Sequence, residues 1–250
     1  MKIQEVFDFL NSIAPYDTQC NWDNSGLMTG AFEKETDKIM LCLDCTNDVI
    51  EQAKANGCGL VICHHPLIFS PLKSVCDNTP VYNAIKNDIT VISAHTNLDM
   101  AQGGVNDVLC EKLGLENIET IQTEDGPLLR LGDTDFETAT QFASLVAKTL
   151  GEPVQCLDAG KKVCKVAVCG GAGGDFVADA FSADCDTFVT GEVKHHQFLQ
   201  AKELGINLIV AGHFSTEKPV IENLCDKLLG AFPGHSVYVA SEECPYFTVV

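Results

Sequence analysis

The sequence predicts an α/β fold made of two similar units, each with a mixed, largely parallel sheet. From residue 38 onward, short apolar runs alternate with segments of helical periodicity, and this order builds parallel sheets with helices on their faces. Both halves of the chain also show one succession: an apolar run leading to His-His, then another leading to His-x-x-x-acid. A chance resemblance between two α/β segments is the alternative to a duplicated unit, because strand–helix alternation is common.

The first half begins with a helix, predicted over residues 3–13 from apolar side chains at helical spacing and stopped by Pro15. The next segment, CNWDNSGLMTG, is rich in turn residues and contains the only tryptophan. The elements predicted after it are the strand IMLCLD, a helix over 47–56, the strand LVICHHP, a helix over 79–87, the strand ITVISAH, and a helix that follows Gly103 and Gly104 and ends at Gly114.

The second half is predicted to start after a connecting segment. Residues 116–135, which are acidic and contain two glycines, are interpreted as the connection between the units. The elements predicted beyond it are a helix over 137–150, the strand KVAVCGG, a helix over 175–183, the strand TFVTGE, a helix over 194–204, the strand NLIVAG, and a helix capped by Thr216 with Glu217 at its positive end.

The composition is that of a soluble globular protein and argues against two classes of partner. The 250 residues are 46% hydrophobic and 20% charged, which is enough to bury a full core. A net charge of -19 opposes broad electrostatic binding to nucleic acid or anionic lipid. No apolar run approaches the roughly eighteen residues of a membrane span, and the N-terminus lacks the apolar core of a signal peptide. The sequence therefore predicts a cytoplasmic protein that does not bind membranes.

The thirteen cysteines are interpreted as reduced thiols, because they are scattered through a chain that can build a core without disulfides. Cys42 and Cys45 form one Cys-x-x-Cys pair. A structural zinc or a thioredoxin-like role would require a second pair or a suitable strand-to-helix turn. The favoured interpretation is that both are small buried hydrophobic side chains.

Six of the seven histidines lie near the ends of predicted strands, together with two carboxylates. Open parallel sheets bind ligands at the carboxyl ends of their strands, and imidazole with carboxylate is a typical ligand set for a transition metal. Any single histidine is more often a packed side chain, but five ligands at three strand ends favour a metal site. The six histidines and two carboxylates are His64, His65, His95 and Asp99 in the first half, and His195, His196, His213 and Glu217 in the second.

Two ions are predicted rather than one. His64 and His65 are neighbours on an extended segment, so their side chains point to opposite sides and each would reach a different ion. The spacing of four in both His-x-x-x-acid pairs brings each pair to one face where the backbone is helical. The mixed ligand set disfavours calcium and magnesium and suits two divalent ions of zinc, iron, manganese, cobalt or nickel.

The glycine-rich run CGGAGGD, residues 169–175, has two interpretations. It follows a predicted strand and precedes a helix, so its backbone N–H groups could hold an anion or a substrate. It lacks both GxGxxG and a terminal Lys-Ser/Thr, so a nucleotide loop is not specified. A tight turn is the favoured interpretation.

Five motifs resemble a known family, the NGG-one-interacting-factor-three-like dinuclear-metal proteins, which are often labelled GTP cyclohydrolase I type 2. They occur in the right order and span nearly the whole chain. The motifs are NWDNSGLMTG at 21–30, CHHPLIF at 63–69, AHTNLDMAQGGVND at 94–107, TGEVKHH at 190–196 and GHFSTE at 212–217.

The resemblance implies two similar α/β domains with a dinuclear metal site in the cleft between them. It places one domain at 1–125 plus 212–250 and the other at 126–211. His95 matches a histidine that is a ligand or lies beside the ligands, whereas the family's GxGR segment reads GPLLRLG here and leaves the role of Arg130 open. The residues that match the family's metal ligands are His64, His65, Asp99, His213 and Glu217.

The resemblance also implies an assembly and an activity. Family members form toroidal homohexamers, trimers of dimers, and the same is expected here. The preferred function is a metal-dependent hydrolase acting on a nucleotide or phosphoester, in which His95, His196 or His195 transfers protons. The alternative is a non-catalytic metal-binding, trafficking or scaffold protein that uses the same ligands without turnover.

Overall fold

The structure, a computed structural model, describes residues 1–246. The strands are β1 (Gly26–Thr29), β2 (Lys38–Cys42), β3 (Leu60–Cys63), β4 (Thr90–Ser93), β5 (Glu116–Thr123), β6 (Gly126–Phe136), β7 (Gln155–Leu157), β8 (Val163–Cys169), β9 (Thr187–Thr190), β10 (Asn207–Val210) and β11 (Ser236–Val239). The α-helices are α1 (Ile3–Ile13), α2 (Asn47–Asn56), α3 (Pro80–Lys86), α4 (Thr96–Met100), α5 (Val105–Lys112), α6 (Ala139–Leu150), α7 (Val177–Ser182), α8 (His195–Leu204), α9 (His213–Glu217) and α10 (Pro219–Ala231). Short 3-10 turns occur at Tyr16–Thr18 and Gly173–Phe176.

Contacts divide the chain into two compact units. The first contains residues 1–102 and 221–243, and the second contains 103–220 and 244–250, of which the structure describes up to 246. The predicted domain boundaries, after residues 125 and 211, differ from this division. The difference arises because β5 pairs with β6 and α5 contacts β6 and β8, so the chain joins the second unit soon after α4. The units are defined by contacts alone, so the domain boundaries after residues 125 and 211 stay a prediction.

The sheet of the first unit is largely parallel, as predicted. Its strand order is β1-β4-β3-β2-β11, in which only β1 runs antiparallel to its neighbour. Since β2, β3 and β4 are parallel, the residues that follow them meet at one edge of the sheet. Met40, Val61 and Val91 on these strands pack against Ile50 of α2 and Ala84 of α3 in the buried core.

The sheet of the second unit is more mixed than predicted. Its order is β5-β6-β8-β9-β10-β7, with a parallel centre of β8, β9 and β10 and antiparallel strands outside it. Successive residues of β8 alternate between two cores: Val166 and Val168 face one, whereas Ala167 and Cys169 face the other. Both faces of this sheet are therefore covered, as expected for strands with continuous apolar sequences.

The segment 116–135 was predicted to be a connection, and this was wrong. It forms β5 and most of β6, an antiparallel pair joined by a turn at Glu124 and Asp125. The strand β5 is at the edge of the sheet and is mostly exposed, so its acidic side chains reach solvent. The acidic residues interrupt the alternation of apolar and polar side chains by which a strand is recognised in a sequence. The short strands β1, β7 and β11 were also not predicted.

Local sequence signals fix several helix ends where they were predicted. The Thr46 hydroxyl accepts the Val49 N–H at the start of α2, and Gly57 ends that helix in the left-handed conformation. Thr138 and Gly151 do the same for α6.

None of the helices among residues 1–246 combines the length and the apolar character required to cross a bilayer.

One prediction near the second set of histidines is confirmed and one was wrong. The helix predicted over 194–204 is α8, so His195 and His196 begin a helix, whereas β9 stops at Thr190 and no strand leads directly to them. Thr216 lies inside α9 and accepts the Gly171 N–H, so it is not an N-cap. The helix starts one turn earlier than predicted because Gly212, with φ of 84°, provides the turn that precedes it.

Candidate metal centre

The first unit gathers three histidines at the carboxyl edge of its sheet. His64 and His65 directly follow β3, and His95 follows β4 after one residue. The ring centroids lie 5.0 Å apart for His64 and His65, 5.2 Å for His64 and His95, and 5.6 Å for His65 and His95. One ligand nitrogen from each ring lies within 4.8 Å of the other two. Parallel strand order thus brings these three predicted residues together.

Each of these imidazoles is held through Nδ1. A carbonyl or carboxylate oxygen only accepts hydrogen bonds, so in the neutral ring Nδ1 carries the proton and the lone pair lies on Nε2. Metal-binding histidines share this arrangement, in which the bond at one nitrogen orients the ring for coordination by the other. The partners are the Ala94 carbonyl for His64 at 2.9 Å, Asp44 for His65 at 2.8 Å, and Asp23 for His95 at 2.8 Å.

Asp23 holds His95 from the turn-rich segment before β1. Its carboxylate also accepts the Thr96 N–H at 3.1 Å and the Ser25 hydroxyl at 3.0 Å. Burial acts to raise the pKa of Asp23, but hydrogen bonds from His95 and Thr96 outweigh it and hold the pKa well below its usual range. The carboxylate is therefore ionised at neutral pH and accepts the hydrogen bond that orients the His95 ring.

Asp44 supports His65 from the turn that follows β2. Its Oδ1 accepts the His65 Nδ1–H, while the N–H groups of Leu43 and Asp44 donate to the Glu242 carboxylate at 2.9 Å each. The His65 N–H in turn donates to the Leu43 carbonyl at 3.0 Å. The turn is thus fixed both by the histidine and by the segment after β11.

Asp99 adds a carboxylate to the same edge. The helix α4 begins directly after His95, and the Asp99 N–H donates to the His95 carbonyl at 3.0 Å, so the helical spacing expected for this pair is present. Asp99 Oδ1 lies 3.6 Å from Nε2 of the buried His64. A hard oxygen donor therefore faces the nitrogen that the hydrogen bond at Nδ1 leaves as an acceptor.

Two exposed aromatic rings lie beside this cluster. Trp22 is 54% exposed and Phe69 is 51% exposed, and their ring centroids are each 6.3 Å from that of His95. The two rings are 6.1 Å from each other. Exposed aromatic side chains next to polar donors form a surface on which a flat ring can stack.

The second unit places His213 and Glu217 on one face of α9. Their Nε2 and Oε2 atoms are 3.1 Å apart, as the spacing of four predicted. Glu217 is buried, and His213 Nδ1 lies 3.5 Å from a carboxylate oxygen of Glu192. The pair is an imidazole with a carboxylate, which is the donor chemistry of a transition-metal ligand set.

The glycine-rich run packs against this pair. A Cβ on Gly171, whose φ is 60°, would overlap the Glu217 carboxylate and lie 3.2 Å from His213 Nε2. Side-chain oxygens accept hydrogen bonds from several backbone N–H groups of the run. This supports the interpretation of the run as a tight turn in close contact with Glu217. The N–H groups of Gly170, Gly171 and Gly173 donate to Asn106, Thr216 and Thr190 at 2.7, 3.0 and 3.1 Å.

His195 and His196 lie apart from this arrangement. Both are exposed in the first turn of α8. Among residues 1–246, neither belongs to a group of ligand atoms close enough to share an ion. A role for His196 in proton transfer stays a prediction.

Arg130 has a structural role in the second unit. It is 2% exposed, its Nε donates to Asp107, and its Nη1 donates to the Pro127 carbonyl at 2.7 Å. Asp107 also accepts the Gly103 N–H, so it fixes the start of α5 as well. This ion pair explains the arginine in GPLLRLG by packing within the second unit.

The sequence reasoning missed Asp23 and Asp44. Asp44 follows the predicted strand IMLCL directly, and a carboxylate at a strand end was a usable signal. Asp23 lies in a turn with no periodic pattern around it, so only its inclusion in the motif NWDNSGLMTG drew attention to it.

Comparisons with known proteins identify related chains. The family described as Duf34/NIF3 (NGG1p interacting factor 3) matches residues 1–245. A Clostridium perfringens protein named GTP cyclohydrolase 1 type 2 homolog is 34% identical, with 97% of each chain covered. The Saccharomyces cerevisiae protein NGG1-interacting factor 3 is 30% identical over 92% of this chain and 90% of its own length. A crystal structure of a Staphylococcus aureus hypothetical protein superposes with a TM-score of 0.91 at 28% identity, covering 100% of this chain and 99% of that one.

Proposed function

This chain belongs to the Duf34/NIF3 family, and from that premise we propose that it is a dinuclear metal-binding protein that acts as a metal-dependent hydrolase on a nucleotide or another phosphoester. One observation carries the proposal. The three imidazoles after β3 and β4 are each oriented by an oxygen at Nδ1 and have ligand nitrogens within 4.8 Å of one another. Packing alone does not require three histidines with the same tautomer at one sheet edge.

Each unit has proposed metal ligands of its own. Imidazole nitrogens combined with carboxylate oxygens suit zinc, iron, manganese, cobalt or nickel, and their number suits two divalent ions. Support comes from the donor chemistry within each unit and from the match to the family's motifs. The proposed ligands are His64, His65 and Asp99 from the first unit and His213 and Glu217 from the second.

Proton transfer is assigned to His95. When bound, two such ions supply a water nucleophile at neutral pH and polarise a phosphoryl group or ring carbon. His95 accepts and returns the proton at Nε2, while Asp23 keeps the ring oriented through Nδ1, as the aspartate does in a hydrolase triad. His196 stays a second candidate for proton transfer. The substitution His196→Gln tests it by the measurement of hydrolysis described below for Asp23→Asn.

A nucleotide is favoured over a simple phosphoester by the aromatic rings. Trp22 and Phe69 flank His95 with more than half of each side chain exposed, which offers stacking surface for a nucleobase. The name of the Clostridium perfringens relative, GTP cyclohydrolase 1 type 2 homolog, agrees with a purine nucleotide.

The alternative proposal is a non-catalytic protein that stores, delivers or senses metal, or acts as a scaffold. The net charge of -19 favours it, because a negative surface concentrates cations without any need for turnover. The same ligands would serve either function, so activity must be measured with each candidate metal.

Asp23→Asn separates chemistry from metal binding. With each metal in turn, wild-type protein is expected to hydrolyse a member of a panel of nucleotides, phosphodiesters and phosphomonoesters. Asp23→Asn is expected to lower kcat by about 10²–10⁴-fold, because His95 loses the carboxylate that orients it. Metal content measured by elemental analysis should stay at the wild-type level. Absence of turnover by wild-type protein with every metal, together with readily exchanged ions, would favour the alternative function.

Gly171→Ala tests whether Glu217 is a ligand. The new Cβ displaces the buried carboxylate, so metal affinity is expected to fall by about 10-fold or more. Gly151→Ala is the matched control, since its φ of 74° imposes similar backbone strain and no atom lies within 4 Å of the new Cβ. Both variants should lose about 1 kcal/mol of stability from that strain. Equal affinities in the two variants would remove Glu217 from the ligand set.

Assembly and location complete the proposal. A homohexamer built as a trimer of dimers is proposed from the family match, and light scattering should then give six times the chain mass of 27.0 kDa. A cytoplasmic location is proposed from the composition, and extended nucleic-acid binding is disfavoured by the charge.

A further inference from the structure

Three cysteines of the first unit lie in contact with one another. Cys42 ends β2, Cys63 ends β3 as its register partner, and Cys45 lies in the turn between β2 and α2. All three belong to one buried core cluster, and each residue is at most 7% exposed. The turn from strand to helix is the context in which a Cys-x-x-Cys pair becomes reactive. The thiol cluster, defined as these three residues, is therefore more than buried hydrophobic surface.

The members of the thiol cluster differ in access. Cys42 and Cys63 are held in paired strands, where their Sγ atoms donate to the carbonyls of Ile62 and Ile92 at 3.8 and 3.6 Å. Cys45 instead lines a surface pocket together with His65 and the start of α2. The neighbouring Cys42 and Cys63 thiols lower the pKa of Cys45, which adds thiolate character at the accessible sulfur. A small oxidant would reach Cys45 first.

The two residues between Cys42 and Cys45 support the histidine cluster. Asp44 accepts the His65 Nδ1–H at 2.8 Å, and Glu242 accepts the N–H groups of Leu43 and Asp44 at 2.9 Å each. A disulfide would bring the two sulfurs to about 2.05 Å and close a ring around these residues. The Leu43–Asp44 backbone would then have to move, and the hydrogen bonds at both ends would move with it.

We propose that Cys42 and Cys45 are a redox modification site, oxidised by a peroxide to a disulfide that withdraws Asp44 from His65. The Cys45 sulfur attacks one peroxide oxygen: an S–O bond forms, the O–O bond breaks, and one water leaves. The Cys42 sulfur then attacks Cys45: the S–S bond forms, the S–O bond breaks, and a second water leaves. Two thiols are oxidised by two electrons in total, and hydrogen peroxide is reduced to two waters. The effect on a metal ligand rests on the proposed function, whereas the disulfide does not.

Hydrogen peroxide and peptide mass analysis test the disulfide. Both cysteines lie in one tryptic peptide, residues 39–54, so oxidation of the zinc-loaded protein should remove two hydrogens from that peptide, and dithiothreitol should restore them. Cys45→Ala should abolish the change. Cys58→Ala, at a buried cysteine in the same core, should not. The proposal is overturned if Cys42 and Cys45 stay reduced while the exposed Cys76 is oxidised, or if Cys63 is the linked partner.

Two further measurements test the effect on His65. In the oxidised wild-type protein, hydrogen exchange at the Leu43 and Asp44 amides should accelerate, and zinc affinity should fall by about 10–100-fold, as for loss of a group that orients a ligand. Peroxide-treated Cys45→Ala should keep both values. A disulfide with unchanged amide exchange would overturn the link to Asp44. If reduced wild-type protein takes up no zinc, the proposed function fails, whereas the disulfide and amide exchange still decide this inference.

Discussion

His64→Asn is expected to lower the affinity for a divalent transition metal by more than about 100-fold, because losing a group that merely orients a ligand already costs about 10–100-fold. The asparagine amide can replace Nδ1 as donor to the Ala94 carbonyl, which the native ring contacts at 2.9 Å. It has no counterpart of Nε2, the nitrogen that faces Asp99. The substitution therefore removes the coordinating atom while keeping the hydrogen bond that supports the fold.

Titration with zinc, followed by equilibrium dialysis and elemental analysis, measures this effect. The matched control is His235→Asn, in the same unit, where the ring contacts the N-terminal amino group instead of the cluster. The control should bind zinc like the wild type. If His64→Asn binds zinc as tightly as the control and the circular dichroism of both is native, His64 is not a ligand.

Asp107→Asn is expected to lower the free energy of unfolding by about 3–5 kcal/mol, the usual cost of leaving a buried charge without its partner. Arg130 is 2% exposed and donates to Asp107, so the substitution removes a carboxylate charge that faces a buried guanidinium. Total stabilities of domains are about 5–15 kcal/mol, which makes this loss a large fraction. Urea denaturation at constant m-value measures it.

A double substitution distinguishes a lost partner from a generally damaged site. Asp107→Leu combined with Arg130→Met removes both charges, so it should recover most of the stability that Asp107→Asn loses. Asp135→Asn, where the carboxylate meets Lys162 at the surface, should change stability little. A double variant as unstable as Asp107→Asn would show that the ion pair is not the cause.

The sequence predicted the part of the candidate site that depends on strand order. His64, His65 and His95 follow apolar runs, and parallel strands place the ends of such runs together. The pairs His95 with Asp99 and His213 with Glu217 depended only on helical spacing, and both lie in or next to short helices. Local periodicity was sufficient in these cases.

The errors occurred where tertiary contacts override local pattern. The acidic residues of β5 indicated a linker, yet the strand is stabilised by pairing with β6 at a sheet edge. His195 and His196 were placed near a strand end, but β9 ends at Thr190 and both histidines lie in the first turn of α8. The hydrogen bonds of Asp23 and Asp44 join segments distant in sequence, and no periodicity reports such contacts. The second half thus shares the order of elements with the first without sharing its histidine geometry.

The most direct test of the central claim is anomalous X-ray diffraction from crystals of wild-type protein reconstituted with zinc, supported by elemental analysis of the same sample. The proposal predicts two zinc ions per chain, with anomalous peaks at bonding distance from Nε2 of His64 and of His65. Crystals that diffract well but show no peak at either nitrogen, from protein containing less than one zinc per chain, would contradict it.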